Sequence, residues 1–305
     1  MANLRDIKKR ITSVTSTKQI TRTMEMVATA KIRRALERAK AAEPYKDAIS
    51  DIMVTVAQDA SVGEGGNPLF EAHGAIRRVA VIAIASDRGL AGGFNVNVER
   101  EAEKVYRESM ASGIECALIT CGRRPTEYFA SRGIKPVMSF VGESADPSLE
   151  SARMIAAYVR EGYETGELDR VLVIYHHAKN RVDQVLHVEQ LLPLDPEQVK
   201  AARGPRATEK DAPERISSSF EFIPSAEHVL GHLIPSYVLT VVHQALIDSA
   251  AAEQGARRKA MNSATDNATQ IIATLTRTYN RVRQGSITTE LNEIVGGAAA
   301  LEEVS

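Results

Sequence analysis

The sequence contains no tryptophan, only two cysteines, and just 5% aromatic residues over 305 positions. Two cysteines cannot supply a disulfide framework. Cys116 and Cys121 fall in one expected strand, ECALITC, at an odd separation, so they point to opposite faces and cannot readily bridge. They read as core thiols of a reducing compartment. Few aromatics beside 44% hydrophobic residues point to Ala-rich packing, as where paired helices approach closely. An excess of either charge is also missing. Lys and Arg number 38 against 39 Asp and Glu, a formal net charge of −1, so the whole chain carries no electrostatic footprint for nucleic acid. No apolar run is long enough to span a bilayer. The most apolar stretch, 229–252, is broken by His232, Pro235, His243, Gln244 and Asp248. No signal-peptide pattern opens the sequence, because Met1 leads straight into a charged helical pattern. Neither G-x-x-x-x-G-K-[ST] nor G-x-G-x-x-G occurs.

What is present divides into ends and a middle. Leu4, Ile7, Ile11 and Val14 step by helical intervals, and the phase resumes at Ile20, Met24 and Val27 and again at Ile32, Leu36 and Ala39. This predicts one helix over 3–58, roughly 80 Å long at about 1.5 Å per residue. The slips between blocks predict that strict heptads are not sustained, and Pro44 predicts a kink. A second long helix is expected over 225–301. Its seam is Met261, Ala264, Ala268, Ile271, Leu275, Thr278 and Val282, and Gly255 and Gly285 are its weak points. Between the ends, strand and helix alternate. Strands are expected at 79–85, 114–120, 136–141, 168–175 and 182–191, with helices at 96–111, 124–132 and 147–165. Alternation of this kind implies a mostly parallel sheet with helices on its faces. The expected division is 1–60 as an N-terminal coiled-coil helix, 75–195 as a Rossmann-like α/β domain, 196–224 as an exposed loop, and 225–305 as a C-terminal coiled-coil helix. The fold class is therefore an antiparallel coiled coil of terminal helices with an inserted α/β domain, a layout that suits a mechanical shaft better than an enzyme.

Candidate chemistry is sparse. SDRGLAGGFN, after the first strand, lies where dinucleotide folds bind phosphate, but its G-x-x-G-G spacing reads as a tight turn. His228, His232 and His243 share a helical face, yet lack a carboxylate shell, and Pro235 interrupts them. His176 and His177 read as strand-end histidines in a loop. Basic clusters stud both ends. Residues 1–46 hold twelve Lys/Arg against four Asp/Glu, and 255–285 hold six against Asp266 alone. A cationic rod suits an acidic socket. A nucleic-acid adaptor would use the same charges, although interleaved aromatics and a binding motif are absent. A nicotinamide oxidoreductase remains a third possibility, resting on the strand–turn–helix alone.

Four segments, in order along the chain, resemble the gamma subunit of F-type ATP synthase. They are IKKRITSVTSTKQITRTMEMVATAKIRRA at the start, SDRGLAGGFN, SATDNA at Ser263–Ala268, and ITTELNEIVGGAAAL at Ile287–Leu301. In the last, Ile287, Thr288, Glu290, Glu293, Gly297 and Ala298 fill the family's C-terminal signature. The resemblance implies a central stalk turning inside three alpha and three beta subunits, with delta and epsilon subunits and the membrane c-ring as further partners. It implies no catalytic residue, metal or cofactor in this chain, since nucleotide and magnesium belong to alpha and beta. It places the chain on the cytoplasmic face of the bacterial plasma membrane. By position it implies beta-subunit contacts at Arg257, Arg283, Gln284 and Arg88. Coupling within the coil falls to Met24, Thr288 and Glu290, and ring contact to Phe220, Glu221 and Phe222. Gly255 and Lys259 depart from the family's usual apolar residue or alanine. The redox cysteine insert of chloroplast relatives is missing.

Overall fold

The structure, a computed structural model, describes residues 4–57, 68–180, 183–194 and 226–302. It divides into two compact units, one formed by 1–28 with 258–305 and the other by 29–257. Two helices supply both: α1 (Leu4–Ala57) and, at the other end of the chain, a helix over Ala226–Glu302.

The larger unit is built on five strands: β1 (Arg78–Ile84), β2 (Glu115–Cys121), β3 (Met138–Phe140), β4 (Arg170–Ala178) and β5 (Gln184–Leu192). Their order is β3-β2-β1-β4-β5, with β1 to β4 parallel and β5 antiparallel on β4. β1 takes the centre because RVAVIAI is apolar on both faces, and six of its seven residues are buried. Val79, Val81 and Ala83 face α2 (Phe94–Ala111) and α3 (Arg123–Ala130), meeting Phe94, Val98, Ala102 and Phe129. Ala80, Ile82 and Ile84 face the other way, onto Ile155, Val159 and Tyr163 of α4 (Leu149–Glu164). Ile49 and Met53 of α1 and Ile234, Val238 and Val242 of the final helix, α5 (Ala226–Glu302), join that second core. Cys116 packs with the first core and Cys121 with the second, so they do point to opposite faces. Ser148 caps α4, its Oγ accepting from the Ser151 amide at 3.1 Å.

Pro44 does not end α1, nor do Gly255 and Gly285 end α5; both helices are assigned as continuous. Burial in α1 falls at spacings that are multiples of seven, at Ile7, Thr21 and Ala28 in the smaller unit and at Ile32, Ala39 and Met53 in the larger, with a step of four from Ala28 to Ile32. The step of four is the expected loss of strict heptads, while the seven-residue spacing holds through the first break because polar Thr21 occupies a seam position. Its hydroxyl meets that of Thr265 at 2.8 Å. On α5 the seam of the smaller unit is Met261, Thr265, Ala268, Ile272, Leu275 and Val282, while the expected Ile271 is exposed. Thr21 precedes the unit's edge at Ala28 and Thr265 follows its other edge at Arg258 by the same interval, so the helices run antiparallel.

β4 is longer than expected and carries His176 and His177 within the strand instead of in a loop. His176 is buried, stacks on Phe94 at 4.8 Å between ring centres, and places Nε2 3.1 Å from the Phe94 carbonyl. A carbonyl only accepts, so Nε2 carries the hydrogen. Nδ1 is then a bare acceptor, buried with no partner among the described residues. Burial, helped by nearby His187, lowers the His176 pKa against the opposing Phe94 hydrogen bond. The sign follows directly. The folded state prefers neutral His176, while the unfolded chain takes up a proton below about pH 6.5. This contribution is whole above that value and shrinks as pH falls. Amide exchange of β4 at Tyr175–Ala178, corrected for intrinsic rates, is expected to quicken between pH 7 and 5.5. A His176→Gln chain, which keeps a donor but cannot titrate, should show the smaller change. Equal pH responses would sink this assignment.

Candidate functional site

The winding of the sheet reverses between β1 and β4. Beyond the carboxyl ends of the strands at such a point, open α/β sheets place their ligands. Here the ground is taken by the chain itself. The loop after β1, Ser86–Gly93, is tied down from inside: the Ser86 amide donates to Asn95 Oδ1 at 2.9 Å, and Asn95 Nδ2 donates to the Arg88 carbonyl at 3.2 Å. The loop turns through Leu90 and Gly92, both left-handed at φ 66° and 61°. Asp87 reaches across the strand ends. Its carboxylate accepts from the amides of Arg123 (2.9 Å), Gly142 (2.8 Å) and Ser144 (3.0 Å). Amides converging at the start of α3 form the kind of cradle that binds anions. This cradle is filled by an internal carboxylate. Burial works to raise the Asp87 pKa, but the three amides and Ser144 together outweigh it, and the net shift is downward.

α5 closes the crevice. Leu246, Ser249, Ala250 and Glu253 lie over Ala85, Gly122 and Ser144, leaving a cavity of about 20 Å³, room for roughly one water. Glu253 is buried, and burial raises its pKa against the pull of Arg257, whose guanidinium lies 2.6 Å away, and of the Ser144 hydroxyl. Arg257 also donates to the Gly89 carbonyl at 3.4 Å. Below this, His177 pairs with Asp248 of α5, whose other oxygen accepts from the Ala178 amide at 3.0 Å. Arg38 of α1 pairs with Asp146 in the loop before α4. With Glu143 and Glu253 lining the remaining space, a phosphate would meet negative charge and a packed helix.

The residues singled out from sequence have distinct surroundings. Arg257 is enclosed and paired within its own unit, not displayed to solvent. Arg88 is exposed on the β1–α2 loop. Met24 is half-buried, and every residue from Arg283 to Gly296 is exposed, including Gln284, Thr288 and Glu290. The Thr288 hydroxyl donates to the Gln284 carbonyl at 2.9 Å. Thr288 and Glu290, expected with Met24 to couple within the coil, are both exposed on α5. Glu290 lies roughly 37 Å along the axis from Thr265, beyond the last half-buried seam residue, Val282. Phe220, Glu221 and Phe222 lie outside the described residues. His228 and His232 are edge-to-face at 4.9 Å on α5. No group of three His, Cys, Asp or Glu among the described residues could hold a metal ion, and no helix among them is long and apolar enough to cross a membrane. Sequence reasoning missed Asp87, Ser144 and Glu253. An aspartate closing a strand before a Gly-rich turn is a readable signal; nothing marks Ser144 in advance.

Comparison with known proteins decides the family. A family profile described as ATP synthase matches residues 3–301. The ATP synthase gamma chain of Anaeromyxobacter sp. (strain Fw109-5) is 41% identical over 303 residues, covering 99% of this chain and 100% of that one. The chain belongs to the ATP synthase gamma chain family. A gamma chain from Desulforamulus reducens is 40% identical over 302 residues, covering 99% of this chain and all of its own length. One from Acetobacterium woodii, named sodium ion specific, is 38% identical over 305 residues, covering 98% and 99%. Among solved structures, a chain of the Euglena gracilis mitochondrial ATP synthase shares the fold at TM-score 0.64 and 20% identity, covering 98% of this chain and 94% of that one. A chain from the central stalk and c-ring of the Tetrahymena thermophila mitochondrial enzyme does so at TM-score 0.59 and 23% identity, covering 80% and 99%. Both solved chains thus share the fold seen here.

Proposed function

We propose that this gamma chain is the central-stalk rotor of a bacterial ATP synthase. It transmits rotation of the membrane c-ring to catalytic beta subunits, and through that link regulates ATP hydrolysis and ion flow. It turns within three alpha and three beta subunits, beside delta and epsilon, peripheral to the cytoplasmic face of the plasma membrane. The observation that carries this reading is the free end of α5. From Arg283 to Gly296 a helix is exposed all round, yet it presents Ile287, Leu291, Ile294 and Val295 to solvent. Such an apolar end is suited to a sleeve. Arg283 and Gln284 stand at its base, where charge-assisted bonds to acidic beta loops would form, and Arg88 offers a second cation on the β1–α2 loop. Met24 acts in the half-buried coil, and Phe220–Phe222 are assigned to the ring.

We read the chain as non-catalytic and as holding no nucleotide or metal of its own. Its switch-point crevice is packed by α5 and lined by acids, which supports that reading. Protons are the proposed coupling ion. A relative named sodium ion specific makes sodium the alternative to exclude, by measuring ion uptake in vesicles with each cation alone.

The test is co-expression with matched alpha and beta subunits and purification by a tag on beta. A 3:3:1 complex that hydrolyses ATP steadily, and loses that turnover when α5 is cut after Val282, is the expected result. If folded alpha and beta subunits purify without this chain, the rotor reading fails.

A further inference from the structure

The crevice at the strand ends is a joint as well as a plug. Asp87 belongs to the β1–α2 loop and takes hydrogen bonds from the first residue of α3 and from two residues of the β3–α4 loop. The Asp87 amide donates to the Ser144 hydroxyl at 3.0 Å. That hydroxyl and the Glu253 carboxylate of α5 line the same small cavity, and the hydroxyl helps to lower the Glu253 pKa against its burial. Glu253 holds Arg257, and Arg257 returns to the β1–α2 loop at the Gly89 carbonyl. The path runs from loop to loop by hydrogen bonds, meets α5 across the shared cavity, and returns from α5 to the first loop through Arg257. Its members are buried or half-buried, so water competes weakly with them.

Apolar contacts around α5 resist separation but resist turning poorly, because dispersion is non-directional. Hydrogen bonds and a buried ion pair are directional. This path is therefore the part of the larger unit best suited to stop α5 from twisting against the sheet. We propose that Asp87 and Ser144 are positioning residues for torque transfer, locking the sheet's loops to α5 so that turning force on the α/β unit enters the helix without slip. This rests on the rotor reading and adds the residues through which the load passes.

The experiment uses the assembled complex of this chain with matched alpha and beta subunits. A bead is attached through Glu108→Cys on the exposed face of α2. Rotation of the bead by ATP tests the rotor reading itself; an assembled wild-type complex whose bead never turns would end that reading before any variant is compared. Torsional stiffness, from the angular spread of the bead in the stalled complex, tests the joint. Ser144→Ala removes only the hydroxyl that accepts from the Asp87 amide and faces Glu253 across the cavity, and at least a twofold fall in stiffness is expected. Asp87→Ala should fall further. If it does not assemble, Ser144→Ala alone decides. A residue that merely stabilises the fold would leave the stiffness of an assembled, rotating complex unchanged. Wild-type stiffness in Ser144→Ala would overturn the proposal.

Discussion

A Gly122→Ala chain is expected to lose its folded α/β unit, and with it most of its recovery alongside tagged beta subunits. Gly122 sits between β2 and α3 at φ 109°, and an added Cβ would stand 2.6 Å from the Ala85 carbonyl oxygen and 2.9 Å from its carbon. The obstacle is backbone, so no side chain can swing aside. Nor can that backbone retreat. The Ala85 amide is bonded to the Cys121 carbonyl at 2.9 Å, the Ser86 amide to Asn95, and Gly122 itself to the Phe140 carbonyl at 2.7 Å. Left-handed backbone at a non-glycine residue costs about 1–2 kcal/mol, and the clash raises the total to roughly 3 kcal/mol or more, a large share of a domain's stability. Gly133→Ala is the control. Gly133 also has positive φ, at 74°, but an added Cβ meets nothing within 4 Å, so only the conformational cost applies. Equal recovery of both variants would mean that the close approach to Ala85 carries no weight.

The second large effect is expected from Arg257→Ala. Glu253 and Arg257 are 3% and 9% exposed and lie 2.6 Å apart. Removing one member of a buried pair strands the other charge, at a cost of about 3–5 kcal/mol, whereas replacing both with apolar residues of similar volume is often neutral. Arg257→Ala should therefore lower the stability of the complex sharply, and Glu253→Leu with Arg257→Met should restore most of it. Denaturant melts of the purified complexes would compare them. A double variant as unstable as the single one would show that the pair is held by more than its own charges. The comparison also separates stability from coupling: the double variant lacks the guanidinium and its bond to the Gly89 carbonyl, so a coupling defect that survives restored stability belongs to a role of Arg257 other than holding the fold.

Much of this fold is legible in the sequence because its periods are strong. VAVIAIA could only be a strand buried on both faces, and the alternation of strands and helices fixed the parallel sheet. The register of the coil was harder to read. A search for apolar residues passes over Thr21 and Thr265, whose hydroxyls satisfy each other, so it places a slip before Ile20 where burial holds to multiples of seven, although the slip before Ile32 is real. The histidines of β4 were hidden for a related reason. Polar residues at a strand's end look like loop until Phe94 and Asp248, distant in sequence, provide their partners. The crevice was legible only by halves: the Gly-rich segment read as a tight turn at the place where such folds bind phosphate, and nothing local disclosed that Asp87 and α5 fill it. Arg257 shows the same limit, since resemblance supplies an outward role, while its pair with nearby Glu253 is enclosed by the β1–α2 loop, far along the chain.

Beyond Val282 α5 continues as exposed helix, with no second helix against it among the described residues. The resistance of a rod to bending and twisting climbs steeply with its thickness. For the same load, this slender tip deflects far more than the paired portion below it. Force delivered at the tip would be absorbed as elastic deflection, whereas force delivered where Met261 to Val282 pack against α1 would be passed on. The tip is thus suited to act as a pivot that keeps an axle centred, leaving the paired helices as the cam.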